Sequence, residues 1–118
     1  MRSKLHLYNR VLEILMIKAS GNPAIAEDID LVEAGLAPLL AELNAMDVAF
    51  IGVDPTDRTS EDIEDQVFHP LADLLANDVA PSFGSPRADE FGRQMMLNRL
   101  RRVMQSGPGY FTQEAIYY

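Results

Sequence analysis

The chain has 118 residues, no cysteine and a formal net charge of −8. That length suits a single domain able to bury its own core. The absence of thiols excludes disulfides and thiolate metal sites and fits a reducing compartment. The longest apolar run, residues 14–17, is far too short to cross a bilayer. The charged opening MRSKLHLYNR lacks the small-residue cleavage site of a signal peptide.

Charge is divided along the chain. Residues 1–20 sum to +3, residues 21–80 to −13 and residues 81–104 to +3. A solvated acidic face accounts for this pattern. So does head-to-tail self-association, with basic ends meeting acidic middles, or an acidic wall that a polyanion must pass without sticking.

Four amphipathic helices are predicted. The first starts at the N-cap Ser3, carries Leu5, Tyr8, Leu12 and Leu15 on one face, and stops near Ala19 at the breaker cluster SGNP. His6 lies on its solvated side. The second spans residues 26–46, with Ile25, Ile29, Val32, Leu36, Leu39 or Leu40, Leu43 and Met46 at steps of three and four and Glu27 and Asp28 in its first turn. Pro38 predicts a kink within it, because proline cannot donate to the carbonyl of Ala34. Residues 48–53, VAFIGV, have strand composition but no partner strand, and are read as a buried extended connector.

The loop DPTDRTS follows at residues 54–60. Its carboxylates invite a calcium reading, but Thr59 stands where the loop's glycine is required and Asp65 where a bidentate glutamate is required. The third helix is expected from Thr59 or Ser60 and reaches Ala80, either as two pieces or as one kinked at His69-Pro70. Its stretch FHPLADLLANDVAPSFG places Leu71, Leu74, Leu75 and Val79 on one face, so this is read as the helix on which the others pack. Neither His69 nor the acids Glu61, Asp62, Glu64 and Asp65 have companions at catalytic spacing. The fourth helix is expected to begin with Ser85 as N-cap and Pro86 in the first helical position. Phe91, Met95 or Met96, Leu100 and Val103 or Met104 form its buried side, with Arg93, Arg99, Arg101 and Arg102 mostly outside it. The fold class is therefore all-α: a small bundle of four main helices over residues 1–104 and an extended tail over residues 105–118.

That tail changes character. After SGPG, the stretch YFTQEAIYY holds three tyrosines, a phenylalanine and an isoleucine, too few for a core and too aromatic for a solvated end. Aromatics on such a segment suit partner docking, since each buries a large area with few rotatable bonds. Fully extended, the tail reaches ~45 Å. The alternative is that it folds back over its own helices.

Together, the YNRVLEIL helix, the EDIDLVEAGLAPLLAELNAMDVAFI segment, HPLADLLANDVAPSFG and the arginine-bearing RADEFGRQMMLNRLRRV helix resemble the head-to-tail adaptor (head-completion or connector) proteins of tailed bacteriophages and gene transfer agents. The resemblance covers residues 5–104, and PLADLLANDVAPSFG is its most specific part. It implies a helical virion protein that forms a homo-oligomeric ring, usually of twelve copies, beneath the portal protein. Such a ring extends the channel for double-stranded DNA, which passes without specific binding, and offers a platform to further neck or tail proteins. It implies no enzymatic activity, no cofactor, no metal and no membrane. The location implied is the virion neck, with assembly in the host cytoplasm. By position, Tyr110, Phe111, Ile116, Tyr117 and Tyr118 would bind the portal, and Arg93, Arg99, Arg101 and Arg102 would lie at subunit interfaces. The competing readings are a small helical regulator of a protein or DNA, suggested by the arginines at 99–102, and a hydrolase built on the acidic loop.

Overall fold

The computed structural model describes residues 1–18, 24–54 and 56–105. Among them are four α-helices and no strand: α1 (Lys4–Ile14), α2 (Ala26–Ala45), α3 (Asp65–Val79) and α4 (Glu90–Gln105), with a 3-10 turn (Ala80–Phe83) after α3.

α3 is the hub. Val67, Leu71, Leu74, Leu75 and Val79 recur at helical spacing, and Ala72 and Ala76 make the remaining sides small and apolar. Ten of its fifteen residues are consequently buried, and α1, α2 and α4 all pack against it. Leu71, Leu74 and Leu75 have no exposed surface, a burial worth about 1.5–3 kcal/mol for each side chain. The approach of α2 is closest at Gly35, where an added Cβ would sit 2.5 Å from Val79 Cγ1.

Both proline-bearing helices run unbroken. Pro38 lies inside α2 on an exposed side, and Ala34, whose carbonyl loses its helical donor, is exposed as well. Water can then replace the missing N–H. Pro70 is buried within α3, but the deprived carbonyl belongs to exposed Gln66. Of the two arrangements expected around His69-Pro70, the single helix is the one adopted.

Three helix boundaries differ from the sequence expectation: the starts of α3 and α4, set by bonds to other elements, and the end of α1, set by its own C-cap. α3 begins at Asp65, not at residue 59 or 60, because Ile63 is held extended in an isolated antiparallel bridge: Arg2 N–H donates to the Ile63 carbonyl (2.7 Å) and Ile63 N–H to that of Arg2 (3.0 Å). α4 begins at Glu90, not at Pro86, because the preceding residues are tied to the end of α3. Ser85 N–H donates to the Ala80 carbonyl (3.0 Å), Ala88 N–H to Asn77 Oδ1 (2.7 Å) and Arg87 to the Asp78 carbonyl (3.0 Å). Asp89 caps the helix instead, accepting from Gly92 N–H at 2.8 Å.

α1 starts as expected, with Ser3 Oγ accepting from His6 N–H, but stops at Ile14. There Met16 turns left-handed (φ 60°), Ile17 N–H donates to Leu12 and Met16 N–H to Glu13. This is a Schellman motif with methionine where glycine is usual. α2 ends the same way, with Asp47 at φ 56° and Val48 N–H donating to Leu43.

Residues 48–53 form the expected extended connector. Val48 and Ala49 are buried, whereas Phe50 is 74 % exposed. On α4, Leu100 faces the core as expected and Met96, Val103 and Met104 pack partly buried against it, joined by Leu97, which the expected row omitted. Phe91, expected inside, is 73 % exposed, and of the alternatives Met95 and Met96 it is Met95 that lies outside, at 58 %.

Candidate functional site

Half of the fourteen carboxylates of the acidic middle form ion pairs among the described residues, five with the basic ends and two with Arg58. Arg58 makes a forked contact with Glu33 (both N···O 2.7 Å) and a further bond to Asp30 (2.9 Å). That guanidinium holds the Glu33 carboxyl below the usual range. Tyr8, almost wholly buried, has its phenol pushed up to about 12 by burial and then by the Glu33 charge. Lys4 is buried against Asp62 at 3.4 Å. Arg93 bridges three helices, reaching Glu42 of α2 and Asp78 of α3 (3.5 Å). Burial raises the Asp78 carboxyl even so. Arg99 pairs with Asp73 at 2.8 Å.

The acidic loop is occupied with its own backbone. Asp54 Oδ1 accepts from the N–H and hydroxyl of Thr56, and Asp57 Oδ1 from those of Thr59. Bonds from these threonines lower both carboxyls. No group of three or more potential metal ligands occurs among the described residues. His6 is exposed and contacts Ser3 Oγ through Nδ1 (3.1 Å). His69 is exposed and meets the Phe68 ring edge-on at 5.3 Å.

Among the described residues, one surface with unused binding capacity is the outward side of α4 and its C-terminal end. Of the four arginines expected at subunit contacts, Arg93 and Arg99 are engaged within the chain. Arg101 bonds only to Asn98 (3.1 Å), and neither it nor Arg102 has an ion pair among the described residues. Phe91 and Met95, one turn apart, supply exposed apolar area on the same helix. At its far end a groove of about 370 Å³ lies between α4 and the start of the connector, lined by Asp47, Val48, Ala49, Phe50, Arg101 and Met104. A smaller cavity of about 120 Å³ shares Phe50 and Met104 and adds Val67 and Asp62. Asp62 Oδ2 takes the Asp54 N–H at 2.7 Å, while its Oδ1 is buried without a hydrogen bond.

Tyr110, Phe111, Ile116, Tyr117 and Tyr118, the expected portal-binding residues, lie outside the described residues. Phe50 was missed as a surface residue. No local signal marked it, since a period of two places Phe50 on the same side as buried Val48. No known protein family, curated protein or solved structure matches the chain.

Proposed function

We propose that this protein is a structural adaptor of a tailed bacteriophage particle, assembling as a homo-oligomeric ring beneath the portal, extending the DNA channel and receiving the neck or tail. The observation that carries this reading is the character of α4. It is held to the core through Leu97, Leu100 and Arg93, yet exposes Phe91 and Met95, carries Arg101 and Arg102 without an ion pair among the described residues, and is followed by a stretch rich in aromatics. Exposed aromatics beside unpaired arginines are the residue types that anchor protein interfaces. The resemblance of residues 5–104 to head-to-tail adaptors supplies the identity of the partner.

In this reading Arg101 and Arg102 meet carboxylates of the neighbouring subunit. Glu27, Asp28, Asp47 and Glu61, which take part in no ion pair among the described residues, are candidates. Those carboxylates that instead face the lumen repel DNA and keep it sliding. The aromatic tail fixes each subunit to the portal.

The test is deletion of residues 107–118 followed by portal pull-down and far-ultraviolet circular dichroism. Helix content should be unchanged and portal binding lost. Undiminished portal binding by the shortened chain refutes the assigned role of the tail.

A further inference from the structure

Two outward helix faces carry the same spacing. On α4 the exposed residues Phe91, Met95, Asn98 and Arg102 follow at steps of four, three and four, which sets them in one row along the helix. On α2 the exposed residues Glu27, Leu31, Ala34 and Pro38 follow at the same steps. The α4 row is bulky and ends on a cation. The α2 row begins on an anion and is small at Ala34 and Pro38. Neither Arg102 nor Glu27 has an ion pair among the described residues.

Laid antiparallel, the two rows share one register. Every residue advances ~1.5 Å along either helix, so equal steps keep the pairs level. Arg102 then stands at Glu27, Asn98 at Leu31, Met95 at Ala34 and Phe91 at Pro38. Leu31, 44 % exposed, meets a groove of about 430 Å³ lined by Met95, Asn98, Arg101 and Arg102. Met95 and Phe91 lie over the two small residues, so the helices can approach closely. The C-terminus of α4 comes to the N-terminus of α2, an orientation that the helix dipoles favour.

Both rows face away from α3, on which both helices pack, so they cannot meet within one chain. Charge then selects among the contacts between copies. α4 carries four arginines against Glu90, whereas α2 carries five acids and no base. Joining α4 to α4 sets two arginine-rich faces together, and joining α2 to α2 sets two acidic ones together.

We propose that the outward face of α4 docks antiparallel on the outward face of α2 of a second copy, with Leu31 seated between Met95 and Arg102. The contact is head-to-tail. Each copy gives one face and receives on the other, so association continues into a closed ring or an open filament. The proposal gives a surface to the self-assembly described above and rests on that part of the reading, not on the portal.

The chain has no cysteine, so a disulfide trap reads the contact without background. Full-length Ala34→Cys and Met95→Cys chains are mixed in concentrated solution under a glutathione redox buffer and run on non-reducing gels. Both positions are exposed, and circular dichroism checks that each variant keeps its helices. A mixed disulfide dimer is expected, with far less dimer from either variant alone. Adding Arg102→Glu to the Met95→Cys chain should cut the yield several-fold, and adding Glu27→Arg to the Ala34→Cys chain should then restore it. The control is Ala45→Cys, exposed on α2 but ~16 Å further along the helix. A mixed dimer no more abundant than with this control overturns the proposal. Equal dimer formation by Met95→Cys alone assigns α4 to its own counterpart and also overturns it. Portal binding of the unaltered chain, measured separately, keeps the two readings apart. A chain that binds the portal but forms no mixed dimer loses this contact and keeps the adaptor function. A mixed dimer in a chain that ignores the portal leaves only the contact between copies.

Discussion

α3 and α4 lie side by side and are nearly equal in length, yet they are opposite kinds of helix. α3 buries ten of fifteen residues, while α4 fully buries only Leu97 and Leu100 of its sixteen. α3 is apolar nearly all round because it has neighbours on three sides. α4 is held by one stripe and by the Arg93 bridge, and the rest of its surface is open to other molecules. The difference separates residues that make the bundle stand from residues available for docking.

The strongest way to break this division is Leu74→Ala. It removes a wholly buried side chain from the hub, and the expected cost is about 2–5 kcal/mol in urea unfolding, from lost burial and the cavity left behind. A cost below about 1 kcal/mol would mean that α3 does not organise the core. Arg93→Ala should cost less, about 1–2 kcal/mol at neutral pH, because both Arg93 and Asp78 keep some solvent contact. It leaves the Asp78 carboxylate part-buried without its cation. The Asp78 pKa is already raised by burial, and removing Arg93 raises it further. Stability linked to a raised carboxyl pKa is present at low pH and lost as pH rises through the folded-state value. The Arg93→Ala deficit should therefore shrink as pH falls toward 4, which unfolding midpoints across that range would reveal. The smallest effect is expected from the double change Phe91→Ala and Met95→Ala. Stability should stay within about 0.5 kcal/mol, as for other exposed sites, while, on the proposed adaptor function, portal binding weakens. A marked loss of stability would show that this row belongs to the core after all.

How far the sequence reached differs from helix to helix. Leu71, Leu74, Leu75 and Val79 could be placed on the core face from spacing alone, since a helix with so many large apolar residues has little choice but burial. On α4 spacing gave one row from Phe91 to Leu100 and beyond, and its start, Phe91, proved exposed while Leu97, outside that row, is buried. Which side faces inward depends on where α3 lies. The arginines were recognised as a group, but not that Arg93 and Arg99 would be engaged by Asp78, Glu42 and Asp73, because those partners are distant in sequence. The groove at Phe50 was not legible at all, since its two walls come from segments about fifty residues apart.

By itself the sequence determined the number and kind of elements: four helices, an extended connector, the cap at Ser3 and the tail's aromatic character. These depend on periodicity, capping chemistry and composition, which act over a few residues. The tertiary structure decided where helices begin and end and which charges are free. Ile63 is kept extended by Arg2, residues 85–88 are bonded back to α3, and Met16 and Asp47 accept left-handed conformations that their own side chains disfavour. For Ile63 and residues 85–88 contacts with another element outweigh a local preference of about 1 kcal/mol, and such contacts exist only once the chain has folded; the turns at Met16 and Asp47 are closed by bonds within their own helix ends.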